Sequence, residues 1–203
     1  MDDGDKDPCS LITRARAGEP IARERLLESF RNYLRLLART GLDGPLQEKA
    51  DASDVVQETL LKAHASFAHF RGQNEAELAG WLRQILARNL TDLSRRFQTE
   101  ARRMDRERSL EELLDQSSLA LGNLVAIRGP SPSEHAQRRE LSVVLADALA
   151  DLSADYRNVV VLRSLEERDW DEVARKMGRT AGAVRVLWAR ALTRLRPLIE
   201  ARL

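Results

Sequence analysis

This sequence contains clusters of arginine, a residue type that can bind a polyanion. Residues 175–203 carry eight basic side chains against one acid, and residues 83–108 carry eight arginines against four acids. Residues 43–58 have the opposite sign, with five acids against one lysine. Because the net charge of the whole chain is only +1, binding to a nucleic acid must come from these local patches. The two basic segments predict two separate contacts with a polyanion, and the acidic segment predicts a basic partner.

The more basic segment begins inside a predicted pair of helices. Asp169, with Glu172 three residues later, forms a capping box that predicts a helix start. Gly178 is placed to end this helix, and Thr180 is placed to cap the next one. Two helices joined by so tight a turn, the second carrying arginines, are typical of a helix-turn-helix that lays its second helix in the DNA major groove. The alternative is a helical hairpin without a role in DNA binding.

Patterns for catalysis and for metal binding are missing from the sequence. The three histidines, His64, His69 and His135, have no cysteine or carboxylate partner at metal-ligand spacing. No glycine-rich phosphate loop follows a strand, and neither a nucleophile elbow nor a Cys/His pair occurs. We therefore expect no enzymatic activity, no metal and no cofactor.

The composition favours an all-α protein. Charged residues make up 32% of the 203 residues and aromatic residues only 4%, which suits amphipathic helices around small aliphatic cores. The N-terminus is acidic and polar, and no apolar run is long enough to cross a membrane, so we expect neither a signal peptide nor membrane insertion. The single cysteine, Cys9, excludes an internal disulfide. Together these features predict a cytoplasmic protein.

The first half of the chain is predicted to form a helical domain over residues 20–97, preceded by a tail and leading segment over residues 1–19. A helix from Pro20 to Arg39 would bury the stripe Leu27, Phe30, Leu34 and Leu37. The next helix, capped by Ser53, would bury Val56, Leu60, Ala63 and Phe67. Its solvent side then carries Asp54, Gln57, Glu58 and Leu61. Such a face is either a solvated surface or a site for a protein partner.

The third helix of this domain opens with a capping box formed by Asn74 and Glu77. Its apolar side includes Trp81, which could be a stacking wedge or a core residue. Its polar side is predicted to expose Arg83, Arg88, Asn89, Asp92, Arg95 and Arg96. Arginine and asparagine on one exposed helix face can contact phosphates and base edges, and a solvated surface is the alternative.

Residues 98–130 lose this periodicity and end in a Gly-Pro-Ser-Pro break, which predicts a flexible linker with a weakly helical stretch. Residues 131–203 would then form a second domain of four helices. The first of these follows a capping box at Ser131 and Glu134, the second is capped by Ser153, and the helix-turn-helix completes the unit. The predicted architecture is thus two small helical domains joined by a flexible linker.

These segments resemble a bacterial RNA polymerase sigma factor of the sigma-70 family, in its extracytoplasmic-function (ECF) group. Residues 51–63 (DASDVVQETLLKA), followed by Phe70-Arg71-Gly72, resemble the region that docks on the clamp helices of the polymerase β′ subunit. Residues 80–96 resemble the segment that melts and reads the −10 promoter element. Residues 152–163 and the helix-turn-helix resemble the region that binds the −35 element. The similarity covers roughly residues 20–97 and 135–198, in the order of the family.

The resemblance implies three sets of site residues. Those that bind core polymerase are Asp54, Gln57, Glu58 and Leu61. Those that bind −10 DNA, in part through a loop that helps to hold a flipped base, are Arg71, Asn74, Arg83, Arg88, Asn89, Asp92, Arg95 and Arg96. Those that bind −35 DNA are Arg179, Thr180, Arg185, Val186, Ala189, Arg190 and Arg194. The implied partners are core RNA polymerase (the β′ clamp helices and the β subunit), promoter DNA and an anti-sigma factor.

The recognition helix departs from the commonest pattern of the family, because Val186 and Leu187 stand where many members have a small polar residue and an arginine. Arg185 can pair with guanine, whereas Val186 and Ala189 can only pack on thymine methyl groups. The other members of the −35 set are expected to contact phosphates. The predicted function is promoter-specific initiation of transcription. The alternatives are a helix-turn-helix regulator that is not a polymerase subunit and, more distantly, an all-helical adaptor that binds only protein.

Overall fold

The computed structural model describes residues 8–42, 50–97, 110–120 and 134–202. The chain divides into two compact units, Met1–Gln116 and Ser117–Leu203. All regular secondary structure within the described ranges is helical. The predictions of an all-α fold and of two helical domains are therefore confirmed.

The helices follow one another in a simple order. Those of the first unit are α1 (Pro8–Arg16), α2 (Pro20–Ser29), α3 (Arg31–Gly41), α4 (Ala52–Ser66), which continues into a short 3-10 turn (Phe67–His69), and α5 (Glu75–Phe97). Residues 110–120 form α6. The second unit contains α7 (Glu134–Ala150), α8 (Ala154–Val160), which continues into a π-helical turn (Val161–Leu165), α9 (Trp170–Met177) and α10 (Ala181–Glu200).

The core of the first unit lies where α3, α4 and α5 pack on one another. The two stripes predicted from periodicity are buried, namely Leu27, Phe30, Leu34 and Leu37, and Val56, Leu60, Ala63 and Phe67. Trp81 packs with its ring centre 5.3 Å from that of Phe70 and 6.1 Å from that of Phe67. The sequence left Trp81 as either a stacking wedge or a core residue. The structure shows it half-buried and packed in an aromatic cluster.

Phe30 interrupts the single helix that the sequence predicted over residues 20–39. Its backbone has φ −89° and ψ −2°, and it separates α2 from α3. The hydroxyl of Ser29 donates to the carbonyl oxygen of Leu26 at 2.8 Å, which competes with the backbone bond that would continue the helix. The apolar spacing runs unbroken through this point, so periodicity could not reveal the interruption.

The first unit extends beyond the predicted range 20–97 at both ends. Residues 8–10, expected to lack structure, belong to α1, which packs on α2 and buries Leu11, Ile12 and Ala15. Within the predicted linker, Leu114 of α6 is fully buried and lies beside Gly41. The predictions for the linker segments 98–109 and 121–130, and for the capping box at Ser131, fall outside the described residues.

Candidate nucleic-acid interface

The acidic face begins at the N-terminus of α4. Asp51, rather than the predicted Ser53, caps the helix, and its Oδ1 accepts a hydrogen bond from the backbone N–H of Ser53 at 2.7 Å. That bond, followed by one from the Ser53 side chain and by the charges of Arg35 and Arg39, lowers the pKa of the Asp51 carboxyl. The cap therefore stays ionised at neutral pH and satisfies one of the free N–H groups of the first turn.

Four side chains of α4 form the outward face that the sequence predicted. All four are exposed, and their spacing of three and four residues places them on one side of the helix, which we call the α4 face: Asp54, Gln57, Glu58 and Leu61. Leu61 is 64% exposed. Glu58 forms an ion pair with Lys62 at 2.9 Å. An exposed leucine beside carboxylates favours a contact with a protein partner that has a basic surface over simple exposure to water.

Arg83 does not belong to the exposed side of α5, so its predicted placement is wrong. The residue is 7% exposed. Its Nη1 donates to the Tyr33 hydroxyl at 2.8 Å, and its Nη2 donates to Asp115 Oδ1 at 2.8 Å. The reason is helical geometry, since at 3.6 residues per turn Arg83 lies half a turn away from Asp92. Arg83 holds α3 and α6 against α5 and is not available to DNA.

Asn89 is also buried, at 4% exposure, and its predicted exposure is wrong as well. Its Nδ2 donates to Thr59 Oγ1 at 2.8 Å, and its Oδ1 accepts from Lys62 Nζ at 2.5 Å. A side-chain amide can be buried in a helix interface when its donor and its acceptor are both hydrogen-bonded, as they are here. Asn89 thus connects α5 to α4.

The remaining polar residues of α5 do form an exposed surface, which we call the α5 face. Its members are Arg88, Asp92, Arg95 and Arg96. Asp92 Oδ1 accepts a hydrogen bond from Arg95 Nη1 at 3.1 Å. Of the six residues predicted for this side of the helix, these four are exposed.

The loop before α5 holds the two residues predicted to form a capping box, although Glu77 accepts from the N–H of Gln73 and not from that of Asn74. Asn74 Oδ1 accepts from the N–H of Glu77 at 2.9 Å, and Glu77 Oε2 accepts from the N–H of Gln73 at 2.7 Å. Arg71 is exposed and donates to the carbonyl oxygen of Ala68 at 3.2 Å. The cap occupies the amide oxygen of Asn74, and Arg71 projects beside it as the cation of the loop.

The helix-turn-helix has the predicted local structure. Asp169 Oδ1 accepts from the N–H groups of Asp171 at 3.0 Å and Glu172 at 2.8 Å. Gly178 ends α9 with a left-handed φ of 62°, and Thr180 Oγ1 accepts from the N–H of Ala183 at 3.3 Å. The local signals of the sequence were sufficient because each of these bonds spans three residues or fewer.

All seven predicted residues of this second interface are exposed: Arg179, Thr180, Arg185, Val186, Ala189, Arg190 and Arg194. Val186 is 51% exposed, an unusual value for a valine on a helix. Arg194 lies half a turn from Arg185 on α10, over the ring of Tyr156 at 5.7 Å. Arg179 forms an ion pair with Asp155 at 2.6 Å.

An aromatic pair, Trp170 and Trp188, lies beside Arg185. Together with Arg163 and Arg185, this pair forms what we call the Trp170 cluster. The rings of Trp170 and Trp188 meet edge to face, with centres 5.8 Å apart. Trp188 Nε1 donates to Ser164 Oγ at 3.3 Å. The guanidinium carbon of Arg163 lies 5.0 Å from the Trp170 ring centre, and that of Arg185 lies 5.8 Å from it. The cluster gathers two cations at the start of α9.

Comparison with known proteins assigns both units. The model of sigma-70 region 2 matches residues 26–100, and the model of sigma-70 region 4 matches residues 142–195. The chain belongs to the sigma-70 family. It is 30% identical to the ECF RNA polymerase sigma factor BldN of Streptomyces coelicolor, over 93% of this chain and 64% of that protein. It is 31% identical to the RNA polymerase sigma-E factor of Streptomyces antibioticus, over 78% of this chain and 76% of that protein.

A third relative is the ECF sigma factor SigD of Mycobacterium tuberculosis, 28% identical over 95% of this chain and 84% of that protein. The relatives and the two regions place the chain in the ECF group of sigma factors. Region 2 covers the α4 and α5 faces, and region 4 covers the helix-turn-helix. The family consists of transcription initiation factors that associate with core polymerase and promoter DNA. A regulator outside the polymerase, the alternative from the sequence, does not fit a sigma factor with both regions.

Sequence reasoning missed two residues of the region 4 surface of this sigma factor, Arg163 and Trp170. Trp170 lies fifteen residues before Arg185, in a different helix. No local pattern joins residues so far apart, so only the packing of α9 on α10 brings them together.

Two negative findings concern the described part of the chain. It contains no group of three or more His, Cys, Asp or Glu side chains able to hold a metal ion. It also contains no helix long and apolar enough to cross a membrane.

Proposed function

We propose that this sigma factor binds core RNA polymerase through the α4 face and directs promoter-specific initiation with two DNA contacts. One contact is the α5 face on the −10 element, and the other is the helix-turn-helix on the −35 element. The observation that carries the proposal is the presence, in one sigma-70 chain, of an exposed acidic and apolar face together with two separate arginine surfaces.

The α4 face suits a basic coiled coil such as the clamp helices of the β′ subunit. Glu58 and Asp54 supply charge that steers the encounter, and Leu61 supplies the apolar contact that persists after docking. Gln57 lies between them and offers both a donor and an acceptor. The β subunit is the second polymerase partner in this proposal.

The −10 contact combines the α5 face with the loop of Arg71 and Asn74. Arginines at this position neutralise phosphates, and the loop holds an unstacked base, which together favour the melted strand over the duplex. Arg83 and Asn89 support this surface from beneath, because both are buried and hydrogen-bonded to neighbouring helices. Their role is to fix α5.

The −35 contact reads few bases. Arg185 is the side chain that pairs with guanine, and Val186 and Ala189 pack on thymine methyl groups. Phosphate contacts fall to Arg179, Thr180 and Arg190, whereas Arg194 lies half a turn from Arg185 on α10 and packs over the Tyr156 ring. Much of the affinity therefore comes from the phosphates and from the polymerase that holds the domain in place.

The proposed factor has no catalytic activity of its own and acts in the cytoplasm, where polymerase and promoter meet. An anti-sigma factor that covers the α4 face or the helix-turn-helix is the proposed regulator. Both surfaces have to be free for initiation, so a protein that occupies either one would silence the factor.

Run-off transcription tests the proposal. The purified chain is mixed with core polymerase of its own host and with a library of promoter fragments from the same genome. We expect the chain to co-purify with core and to start transcripts at discrete sites. If it joins no polymerase and starts no specific transcript, the polymerase and promoter contacts proposed above are wrong.

A further inference from the structure

Arg185 is held by an aromatic ring and not by a carboxylate. Its guanidinium carbon lies 5.8 Å from the centre of the Trp170 ring. Within the described part of the chain, no carboxylate forms an ion pair with Arg185, in contrast to Arg179, which pairs with Asp155. The charge of Arg185 thus remains available to an acceptor on a ligand, while the ring limits where the guanidinium can go.

The ring that holds Arg185 is itself fixed. Trp170 follows Asp169, the N-cap of α9, so its backbone is set by the first turn of that helix. Trp188 packs its ring edge to face on Trp170, at an interplanar angle of 81°, and its Nε1 is tied to Ser164 Oγ. The Trp170 ring therefore has little freedom to reorient, because it packs against Trp188 and its backbone belongs to the capped first turn of α9.

The orientation of Arg185 matters because base reading depends on it. A guanidinium recognises guanine by two parallel hydrogen bonds to O6 and N7, which require its planar fork in one orientation. A free arginine loses much rotamer freedom when it adopts that orientation, and preorganisation removes that loss. Val186 and Ala189, its neighbours on the groove side, offer no hydrogen bond. Discrimination by hydrogen bonding therefore depends on Arg185.

Arg163 strengthens the same argument. Its guanidinium carbon lies 5.0 Å from the centre of the Trp170 ring, and its Nη1 donates to the carbonyl oxygen of Arg168 at 3.1 Å. The Trp170 ring therefore receives two guanidinium groups, as a cation–π site does.

We propose that Trp170 is a positioning residue for base reading by region 4: its ring orients Arg185 toward a guanine of the −35 element. The proposal deepens the −35 role assigned above and rests on it. Trp170 acts through Arg185 and contacts no base itself.

The experiment selects promoter DNA with holoenzyme. Core polymerase carrying the full-length factor is incubated with duplexes whose −35 hexamer is randomised, and the bound fraction is sequenced. The variants are Trp170→Leu, Trp170→Phe and Arg185→Ala, with Trp170→Phe also made in the Arg185→Ala background. The matched control is Tyr156→Leu, which removes the ring beneath Arg194, half a turn away on the same helix.

We expect Arg185→Ala to abolish the preference for guanine at one position of the hexamer. Trp170→Leu should lower the guanine preference at that same position about two- to fivefold, the range of an exposed cation–π contact. Trp170→Phe should lie between wild type and Trp170→Leu, and should change nothing further in the Arg185→Ala background. Tyr156→Leu should leave the base preference as it is.

Two results overturn the inference while leaving the proposed function intact. In one, wild type selects a defined hexamer and both Trp170 variants select it with the same guanine preference. In the other, they weaken binding to every sequence equally, as a merely structural residue would. If Trp170→Leu does not fold, as judged by circular dichroism, the test rests on Trp170→Phe, compared in the wild-type and in the Arg185→Ala backgrounds. If wild type selects no hexamer at all, the proposed −35 function fails, and the inference fails with it.

Discussion

Asn89 of α5 donates a hydrogen bond from Nδ2 to the hydroxyl oxygen of Thr59 of α4 at 2.8 Å. The Thr59 hydroxyl in turn donates to the carbonyl oxygen of Val55 at 2.7 Å, and Lys62 donates to the other end of the Asn89 amide. This network joins the helix proposed to bind −10 DNA to the helix proposed to bind polymerase. The two surfaces therefore share one rigid support.

Replacing Asn89 by alanine should destabilise the first unit. The substitution leaves the buried Thr59 hydroxyl without a donor and removes an acceptor from Lys62, which costs about 1–3 kcal/mol of unfolding free energy. Urea denaturation followed by circular dichroism measures the effect. The control is Asp92→Ala, an exposed position of the same helix, which should change stability by no more than about 0.5 kcal/mol. Equal effects of the two substitutions would contradict a structural role for Asn89.

Asp115→Ala should also lower the stability of the first unit, because it removes the carboxylate that faces the buried Arg83. Asp115 is partly exposed and water can replace it in part, so we expect about 1–2 kcal/mol. Glu112→Ala, an exposed substitution on the same helix, provides the comparison. If Asp115→Ala unfolds at the same urea concentration as wild type, the Arg83–Asp115 ion pair does not contribute to the stability of the first unit.

Glu58→Arg should weaken binding to core polymerase by at least about tenfold, since it places a cation where a basic partner is expected. Binding of isolated −35 DNA should remain as in wild type, because the substitution lies in the other unit. Co-purification with core and a gel-shift assay measure the two properties separately. Glu24→Arg makes the same charge change at an exposed site of α2 and should affect neither. Loss of both activities in Glu58→Arg would refute the division of labour.

Gly178→Ala and Gly182→Ala should change stability in opposite directions. A Cβ at either position meets no atom within 4 Å, so crowding plays no part. Gly178 has φ of 62°, and alanine in that conformation costs about 1–2 kcal/mol. Gly182 is the second residue of α10, where alanine adopts the helical backbone without strain and stabilises by about 0.4–1 kcal/mol by restricting the unfolded chain. Thermal unfolding of the two variants measures the contrast; a stabilised Gly178→Ala variant would show that the turn does not need its left-handed residue.

Local features followed from the sequence because their partners lie within a few residues. The cap at Asn74, the cap at Asp169 and the left-handed Gly178 each depend on one helix end. The two buried stripes over residues 27–37 and 56–67 also followed, since helical periodicity alone assigns them. The exposure of the α4 face followed from the same periodicity, because these residues lie opposite the buried stripe of their helix.

The tertiary structure decided what happens between helices. Arg83 and Asn89 look like their exposed neighbours in sequence, yet Arg83 reaches Asp115, 32 residues later, and Asn89 reaches Thr59, 30 residues earlier. The ring beside Arg185 is likewise set by the packing of α9 on α10. By itself the sequence determined the all-helical class, the helix-turn-helix and the distribution of charge, because these rest on local bonding and composition. Which arginines remain exposed, and which ring orients them, depends on contacts between distant residues that only the folded chain brings together.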